Sequence, residues 1–358
     1  MSADVCWSRV LSTETRKLSD ISAFLLTNGL LRDADIDIFI TLTRNNKLIA
    51  CGGLAGNIIK CVAIDESLRG EGIALKLATE LINLAYERHQ THLFLYSKCT
   101  NEFLFKPCGF YPVAHIPGMM VLMENSAIRF KRYINDLATL RQNGRTIGSI
   151  VMNANPFTCG HRYLIEQAAA QCDWLHLFLV REESAVFSWQ TRLDLLCKGT
   201  ADIKKLTIHH GSAYLISRAT FPGYFLKDRG IIDSSHCEID LRIFRQHIAP
   251  ALGITHRFVG SEPFCPLTAR YNAAMRHWLD TPALPAPPVM LMEIERLCYQ
   301  DSPISASQVR QLFCQRAWQA LIPLVPPATL DVLQHMQAHN SVQTAHALPP
   351  SELATGEQ

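Results

Sequence analysis

Four consecutive residues near the middle of the chain combine a hydroxyl, a thiol, a glycine and an imidazole. They are Thr158-Cys159-Gly160-His161, which follow an apolar run at 146–152 and precede apolar residues at helical spacing. This order predicts a strand, a polar turn forced by Pro156, and a helix capped by Thr158. Such a helix start directs unpaired N–H groups and a partial positive charge outward. The segment therefore predicts an anion site, for which phosphate is the usual ligand.

A second segment with similar chemistry lies about a domain length later. It is Ile304-Ser305-Ala306-Ser307-Gln308-Val309-Arg310, which offers two hydroxyls and one guanidinium at another predicted helix start. In the first segment, Gly160 would let a phosphate approach the backbone closely, and His161 and Thr158 have donors to offer it. Two such segments in this order predict that both bind the same polyphosphate.

The two segments resemble the (H/T)xGH and ISxSxxR signatures of the nucleotidylyltransferase superfamily. The resemblance implies attack on the α-phosphorus of ATP with loss of pyrophosphate, in a site that positions groups and neutralises charge with the help of Mg²⁺. It assigns catalysis to His161 and Thr158, and the departing pyrophosphate to Ser305, Ser307 and Arg310. The residues expected to bind ATP are Asn155, Phe157, Gly160, Ser305, Ser307 and Arg310.

Other residues near these segments have chemistry of their own. Arg181, Arg192 and Lys227 are candidates for phosphate contact, although a surface or structural charge is the favoured interpretation of each. Cys159 occupies the variable position of its motif, which favours a free thiol over a nucleophile. The His209-His210 pair is interpreted as a strand end. We therefore predict no protein-bound metal.

A glycine loop in the first third of the chain also predicts a phosphate site. Arg69-Gly70-Glu71-Gly72-Ile73-Ala74 follows a predicted strand at 58–64 and precedes an amphipathic helix at 74–88. The third glycine of a dinucleotide fingerprint is missing. The loop instead resembles the acyl-CoA pyrophosphate loop of GNAT-type acetyltransferases, and residues 101–110 resemble their closing helix and strand. The resemblance assigns the pyrophosphate of CoA or a pantetheine arm to Arg69, Gly70, Gly72 and Ala74.

One residue of this module departs from the family pattern. Phe105 stands where many GNAT enzymes carry a tyrosine that protonates the departing thiolate. A phenylalanine has no proton to donate. The sequence therefore favours a module that binds an acyl-CoA-like or pantetheine group over an active acetyltransferase.

Length and composition narrow the class of protein. The 358 residues favour two domains, and Lys+Arg 34 against Asp+Glu 32 gives no argument for a nucleic-acid or acidic membrane partner. No run approaches the roughly 18 apolar residues of a membrane span, and no signal peptide is visible. The 12 scattered cysteines are interpreted as free thiols. These features predict a cytoplasmic globular protein.

The pattern of elements predicts an α/β protein with two domains in sequence. We expect a GNAT-like α+β domain at 1–124, a helical connector at 125–145, a Rossmann-like nucleotidylyltransferase domain with a parallel sheet at 146–338, and a frayed tail at 339–358. Within the second domain, a helix around 238–249 is expected to end before Pro250.

The whole arrangement resembles the citrate lyase ligase family. The resemblance rests on the domain order and on four segments, at 153–161, 219–222, 257–266 and 304–310. It implies that acetate is activated by ATP as acetyl-adenylate. The acetyl group then passes to the thiol of a phosphopantetheine-like prosthetic group on the citrate lyase acyl-carrier subunit, with release of AMP.

The sequence leaves several alternatives open. One is adenylyl transfer onto a phosphorylated small molecule such as pantetheine phosphate or nicotinamide mononucleotide. Others are acetyl transfer to an amine or protein by the first domain, and a non-catalytic scaffold. The acetate pocket is not located, because several apolar residues are equally suited to it. They are Phe157, Phe187, Phe221 and Phe264.

Overall fold

The computed structural model describes residues 5–68, 70–181, 186–217, 219–220, 234–262 and 266–346. Four residues that the sequence singled out, Arg69, Phe221, Lys227 and Phe264, lie outside these ranges. The chain forms two compact units. Unit 1 comprises Met1–Gln142, Ser212–Ile254 and Pro263–Met290, and unit 2 comprises Asn143–Gly211, Thr255–Glu262 and Leu291–Gln358.

These compact units divide the chain differently from the predicted segments. Residues 212–254 and 263–290, which were expected in the second domain, belong to unit 1. The last described helix continues to His346, so the first part of the predicted frayed tail is helical. That the predicted boundaries separate a binding module from a catalytic domain stays a prediction.

Unit 1 is built on a mixed seven-stranded sheet with the strand order β1-β2-β3-β4-β5-β7-β6. The elements up to residue 142 are β1 (Val5–Leu11), α1 (Thr15–Thr27), β2 (Ile38–Arg44), β3 (Lys47–Ala55), β4 (Ile58–Ile64), α2 (Ile73–Glu87), β5 (Phe94–Lys98), α3 (Glu102–Phe105), β6 (Tyr111–Ile116), β7 (Met120–Glu124) and α4 (Arg129–Ala138). β4 and β5 are parallel, and the other neighbouring pairs are antiparallel. This is the predicted GNAT-like α+β fold.

The strands β2 and β3 form a hairpin. Arg44 pairs with Lys47, which leaves Asn45 and Asn46 as a two-residue turn. Both asparagines have positive φ, 51° and 62°. Two-residue hairpin turns favour this left-handed backbone, and asparagine tolerates it better than most residues do.

The parallel strands β4 and β5 separate after a short contact. They share only the pairs Ile58 with Phe94 and Ile59 with Leu95, at their amino ends. Beyond these pairs lies a cavity of about 1560 Å³, whose lining includes 61–64 of β4 and 96–98 of β5. The gap in the sheet therefore gives access between two strands that a closed ladder would seal.

The second part of the chain alternates strands and helices. Its elements are β8 (Ile147–Met152), α5 (Cys159–Ala170), β9 (Trp174–Leu179), α6 (Trp189–Gly199), β10 (Leu206–His209), α7 (Ser234–Ile243), α8 (Ala249–Leu252), β11 (His256–Gly260), α9 (Pro266–Trp278), β12 (Met290–Ile294), β13 (Cys298–Tyr299), β14 (Ser302–Pro303), α10 (Ala306–Cys314), α11 (Trp318–Leu321) and α12 (Pro327–His346). Of these, α7, α8 and α9 belong to unit 1.

The expectation that a helix ends before Pro250 is wrong. A π-helical turn at Phe244–Ile248 connects α7 to α8, and helical backbone continues to Leu252. Pro250 lies in the first turn of α8. The backbone N of Ala249 donates to the carbonyl of Phe244, which is the i→i+5 bond of the π-helical turn, and Pro250 follows it without an N–H to pair.

Unit 2 contains a five-stranded sheet with the order β10-β9-β8-β11-β12. The pairs β8–β9, β9–β10 and β8–β11 are parallel. The chain starts at β8, moves outward to β9 and β10, and returns to the other side of β8 as β11. The order therefore reverses between β8 and β11, and ligands of open α/β sheets bind at the carboxyl ends of strands at such a point. Among the described residues, no helix has the length and apolar character that a membrane crossing requires.

Candidate active site

The loop after β8 opens α5 at the point where the strand order reverses. Thr158 has an extended backbone and caps the helix: its Oγ1 accepts a hydrogen bond from the backbone N of His161, 3.3 Å away. In return, the backbone N of Thr158 donates to Nδ1 of His161 over 3.1 Å. The two residues form a capping box in which histidine takes the place that Glu or Gln usually has. The predicted cap is confirmed.

This exchange fixes the tautomer of His161. Because Nδ1 accepts a backbone hydrogen bond, the proton of the neutral ring is on Nε2. The hydroxyl of Thr158 lies 2.8 Å from Nδ1 and donates to it as well. Burial lowers the pKa of His161 to about 4, and the positive charge of Arg296 adds to this effect. At neutral pH His161 is therefore an uncharged ring with one N–H to donate.

Thr158 and Phe157 both contact the ring of His161 and hold it in place. Thr158 is buried, and its hydroxyl is occupied by the His161 ring. Phe157 is fully buried, stacks on His161 with ring centroids 5.9 Å apart, and leaves no room for a Cβ at Gly199. Its carbonyl accepts a hydrogen bond of 3.0 Å from Thr329 of α12. The geometry gives both residues a positioning role, and their direct contact with ATP stays a prediction.

Gly160 brings the two predicted segments together. A Cβ built on Gly160 would lie 3.2 Å from the carbonyl oxygen of Ile304. Real Cβ atoms rarely approach so closely, so a larger residue at 160 would push the second segment away. The sequence assigned this glycine to the approach of a phosphate, which stays a prediction, and the structure adds the close approach of Ile304.

The second segment starts α10 and contacts the first one. Ser305 caps the helix by accepting a hydrogen bond of 3.1 Å from the backbone N of Gln308. Arg310 donates through Nη1 to the carbonyl of Asn155 over 2.5 Å and through Nη2 to Oγ of Ser307 over 3.0 Å. Two helix starts and one guanidinium therefore share a single edge of the sheet.

Of the further cations considered, Arg192 is structural. It is fully buried, and its Nη1 donates to both the carbonyl and the side-chain oxygen of Asn153, each over 2.7 Å. The same nitrogen lies 3.2 Å from the carbonyl of Val180. Arg192 therefore ties the ends of β8 and β9 together. Arg181 is exposed and lies over the ring of Trp189.

An ion pair that was not predicted from the sequence lies at the carboxyl ends of β11 and β12. Arg296 forms a short contact with Glu262 through Nη2 and donates through Nε to the carbonyl of Ser261 over 2.6 Å. Arg296 is also the charge that acts on His161. One feature of the sequence could have indicated a role for Arg296: it lies between the mostly apolar run at 289–294 and the second segment.

The glycine loop of unit 1 opens α2, and no described side chain caps the start of this helix. Gly72 is the N-cap and has a φ of 74°, and Gly70 has a φ of 95°. L-residues rarely adopt this backbone, which explains the glycines. Gly70, Gly72 and Ala74 all line the cavity between β4 and β5. Phe105 lines it too, with 4% of its surface exposed.

Capped helix starts at the strand-order reversal of a parallel sheet, with an imidazole and a guanidinium beside them, define unit 2 as a nucleotidylyltransferase-type domain. A family model for the citrate lyase ligase C-terminal domain matches residues 147–333. The chain is 61% identical to the citrate (pro-3S)-lyase ligase of Escherichia coli K12 over 95% of this chain and 96% of that relative. It is 53% identical to the same enzyme of Klebsiella pneumoniae over 91% and 94% of the two chains. The chain belongs to the citrate lyase ligase family.

Similarity to solved structures is weaker. The crystal structure of Escherichia coli ElaA matches 34% of this chain and 100% of its own, with 17% identity and a TM-score of 0.31. A score of this size carries no argument. The GNAT-like fold of unit 1 therefore rests on the strand order and on the separation of β4 from β5.

Proposed function

We propose that the chain is an ATP-dependent ligase that acetylates the thiol of the prosthetic group on the citrate lyase acyl-carrier subunit. An acetate oxygen attacks the α-phosphorus of ATP, the bond from that phosphorus to the bridging oxygen breaks, and pyrophosphate leaves. The thiolate of the carrier then attacks the acetyl carbon of acetyl-adenylate. The carbon–oxygen bond breaks, and AMP leaves with the electron pair.

One observation supports the first step most directly. Arg310 of the second segment contacts Asn155 of the first, so the starts of α5 and α10 lie at the same site. His161 would donate its Nε2 proton to a phosphate oxygen, and Ser307 and Arg310 would bind the departing pyrophosphate. Acetate is already an anion at neutral pH, so this step needs no general base. The site thus works by position and charge.

Mg²⁺ is proposed to enter with ATP. Among the described residues, no three His, Cys, Asp or Glu side chains are placed to hold a metal ion. Mg²⁺ often binds through substrate phosphates and retained waters instead of a full set of protein ligands. When bound, it neutralises part of the negative charge that develops on the phosphates.

The cavity of unit 1 is proposed to hold the pantetheine-like arm of the carrier. It opens where β4 and β5 separate, and the uncapped start of α2 lines it. Phe105 offers no proton for acetyl transfer from CoA, which favours a holding role for this module. All described cysteines are free thiols, in keeping with the proposed cytoplasmic location.

The experiment combines the full chain with ATP, Mg²⁺ and radiolabelled acetate. Acetate-dependent exchange of pyrophosphate into ATP measures the first step alone. AMP release and label on the carrier measure the second step, with the carrier in its thiol form. An adenylylated product retained in place of AMP would support the pantetheine-phosphate or nicotinamide-mononucleotide alternative. Consumption of acetyl-CoA without ATP would support an acetyltransferase.

A further inference from the structure

Large apolar side chains surround the mouth of the unit 1 cavity although water reaches them. Leu31 is 78% exposed, Phe103 67%, Met119 55% and Leu75 48%, and all four line the cavity. We call these four residues the apolar rim. Scattered exposed hydrophobic residues are normal, but several around one opening indicate an interaction surface.

The rim is assembled from four separate parts of the fold. Leu31 lies in the loop after α1, Leu75 in the first turn of α2, Phe103 in α3, and Met119 in the turn before β7. In α3, Phe105 is buried in the unit 1 core, whereas Phe103 points its surface to solvent. The core therefore does not need Phe103, and a partner outside the unit would explain its exposure.

The charges that remain unpaired at this mouth are positive. Arg32, Lys76 and Lys98 are exposed, and the described part of the chain places no carboxylate within ion-pair distance of them. We call these three the basic set. Arg32 and Lys98 line the cavity, and Lys76 follows Leu75 of the rim.

The acidic side chains at the mouth are paired with cations, and Asp33 and Asp35 share the single positive charge of Lys60. Nζ of Lys60 lies 3.0 Å from Asp33 and 2.7 Å from Asp35. Glu102 contacts Lys106 and His115 at 3.0 and 2.8 Å. The three cations of the basic set outnumber the one carboxylate that Lys60 leaves in excess, so the balance at the mouth is positive and selects an acidic partner surface.

We propose that the apolar rim and the basic set form the docking surface for the acyl-carrier subunit. The inference rests on the proposed function and adds where the carrier binds. An apolar centre with charges around it is the usual composition of a specific protein interface. Here a cavity opens within that centre, which suits a carrier with an acidic surface that inserts a slender thiol-bearing arm. A free cofactor would need the cavity but not the exposed rim.

The test is direct binding of the full chain to the acyl-carrier subunit in its thiol form. The double variant Leu31→Ser/Phe103→Ser should raise the Kd at least about tenfold, as expected when anchor side chains are removed. The matched control is Leu26→Ser/Ile128→Ser, whose side chains are 65% and 60% exposed and do not line the cavity. The control should bind the carrier as the unchanged chain does.

A carrier-free assay separates docking from damage. Acetate-dependent pyrophosphate exchange, which does not use the cavity of unit 1, should be unchanged in Leu31→Ser/Phe103→Ser. If the rim variant and the control lose affinity equally, or if the rim variant retains full affinity, the inference is wrong. If the unchanged chain shows no exchange, the proposed function fails, while direct binding still decides the docking site.

The basic set gives an independent measurement. Lys76→Glu/Lys98→Glu should slow association with the carrier about tenfold at low salt and weaken its salt dependence. Lys131→Glu, an exposed site on α4 away from the cavity, is the control. Should Phe103→Ser convert a dimer to a monomer and leave carrier binding intact, a second copy of the chain is the occupant and the inference fails.

Discussion

Two kinds of helix start in this molecule differ in whether side chains cap their first backbone N–H groups. In unit 2, α5 and α10 are capped by the hydroxyls of Thr158 and Ser305, which accept backbone N–H groups. In unit 1, α2 begins at Gly72 with no described side chain as a cap, and its glycine adopts a left-handed backbone. Hydroxyl side chains accept backbone N–H groups at the first kind of start, which we call capped. At the second kind, which we call open, no described side chain accepts them.

The difference indicates different uses. A side-chain cap takes up some of the N–H groups, but at α5 it also fixes the ring and the tautomer of His161. That arrangement suits a step in which one donor must be held precisely against developing charge. An open glycine start leaves all its N–H groups for a ligand, which suits binding without chemistry. The comparison supports the proposal that unit 2 carries the chemistry and unit 1 holds the arm.

The largest expected effect is at His161. His161→Ala removes the fixed donor and should cost about 3–4 kcal/mol of transition-state stabilisation, in line with the loss of single oxyanion donors. Acetate-dependent pyrophosphate exchange should fall by a factor of roughly 10²–10³. His335→Ala, at an exposed histidine of α12, is the control. Undiminished exchange in His161→Ala would show that the capped start of α5 does not take part in the chemical step.

Arg310→Lys should have the next largest effect. Lysine keeps the charge but cannot bridge Asn155 and Ser307 through two nitrogens of one planar group. Hydrogen bonds to charged groups contribute about 1.5–3 kcal/mol, so exchange should fall roughly 10- to 100-fold. Arg316→Lys, on the short segment after α10, should leave the rate unchanged. A full rate in Arg310→Lys would mean that charge alone suffices.

The sequence predicted what depends on neighbouring residues. The cap at Thr158 and the strand β4 both follow from local chemistry, and the structure has each of them. The close approach of Gly160 to Ile304 could not be predicted in this way, because the two residues are far apart in the chain. Contacts between distant parts of the chain leave no mark at a single position.

The same limit applies to the ion pair and to the compact units. Arg296 and Glu262 meet because β11 and β12 are neighbours in the sheet, a fact of strand order that local patterns do not contain. The assignment of 212–254 to unit 1 likewise depends on tertiary packing. The two predicted phosphate segments were identifiable because their chemistry is local, whereas the residues that support them are not.

Substitutions at Thr158 distinguish a residue that positions His161 from one that contacts the nucleotide directly. Thr158→Val keeps the shape but removes the cap, which should destabilise the protein by about 1 kcal/mol. The exchange rate should fall with little change in the KM for ATP, since the hydroxyl serves His161. Thr158→Ser restores the hydroxyl and should restore both properties. A raised KM for ATP with an unchanged maximal rate would instead show that Thr158 binds the nucleotide.

Gly72→Ala tests the open start. An alanine at a φ of 74° is strained by about 1–2 kcal/mol, and the loop should move away from the cavity. We expect weaker binding of the arm, measured with free pantetheine as acceptor, and an unchanged rate of pyrophosphate exchange. Gly56→Ala, at a φ of 58° in the turn before β4, carries similar strain away from α2. Equal losses in both variants would mean that strain alone is responsible.

The smallest expected effect is that of pH on the capped start. The pKa of His161 is lowered to about 4, so the ring stays neutral from pH 5.5 to 8 and the donor is unchanged over that range. In the unfolded chain histidine gains its proton near pH 6.5, so acid below that value weakens folding without altering the donor.

The variant His161→Gln tests this expectation because glutamine offers an uncharged N–H at all these pH values. The ratio of its exchange rate to that of the unchanged chain cancels the effect of the titration of ATP. This ratio should vary less than about twofold from pH 5.5 to 8, because neither donor titrates there. A relative gain of the histidine enzyme on the acid side, with a midpoint between 6 and 7, would show that the imidazolium is the active form, and the capping box would then have to open for the reaction.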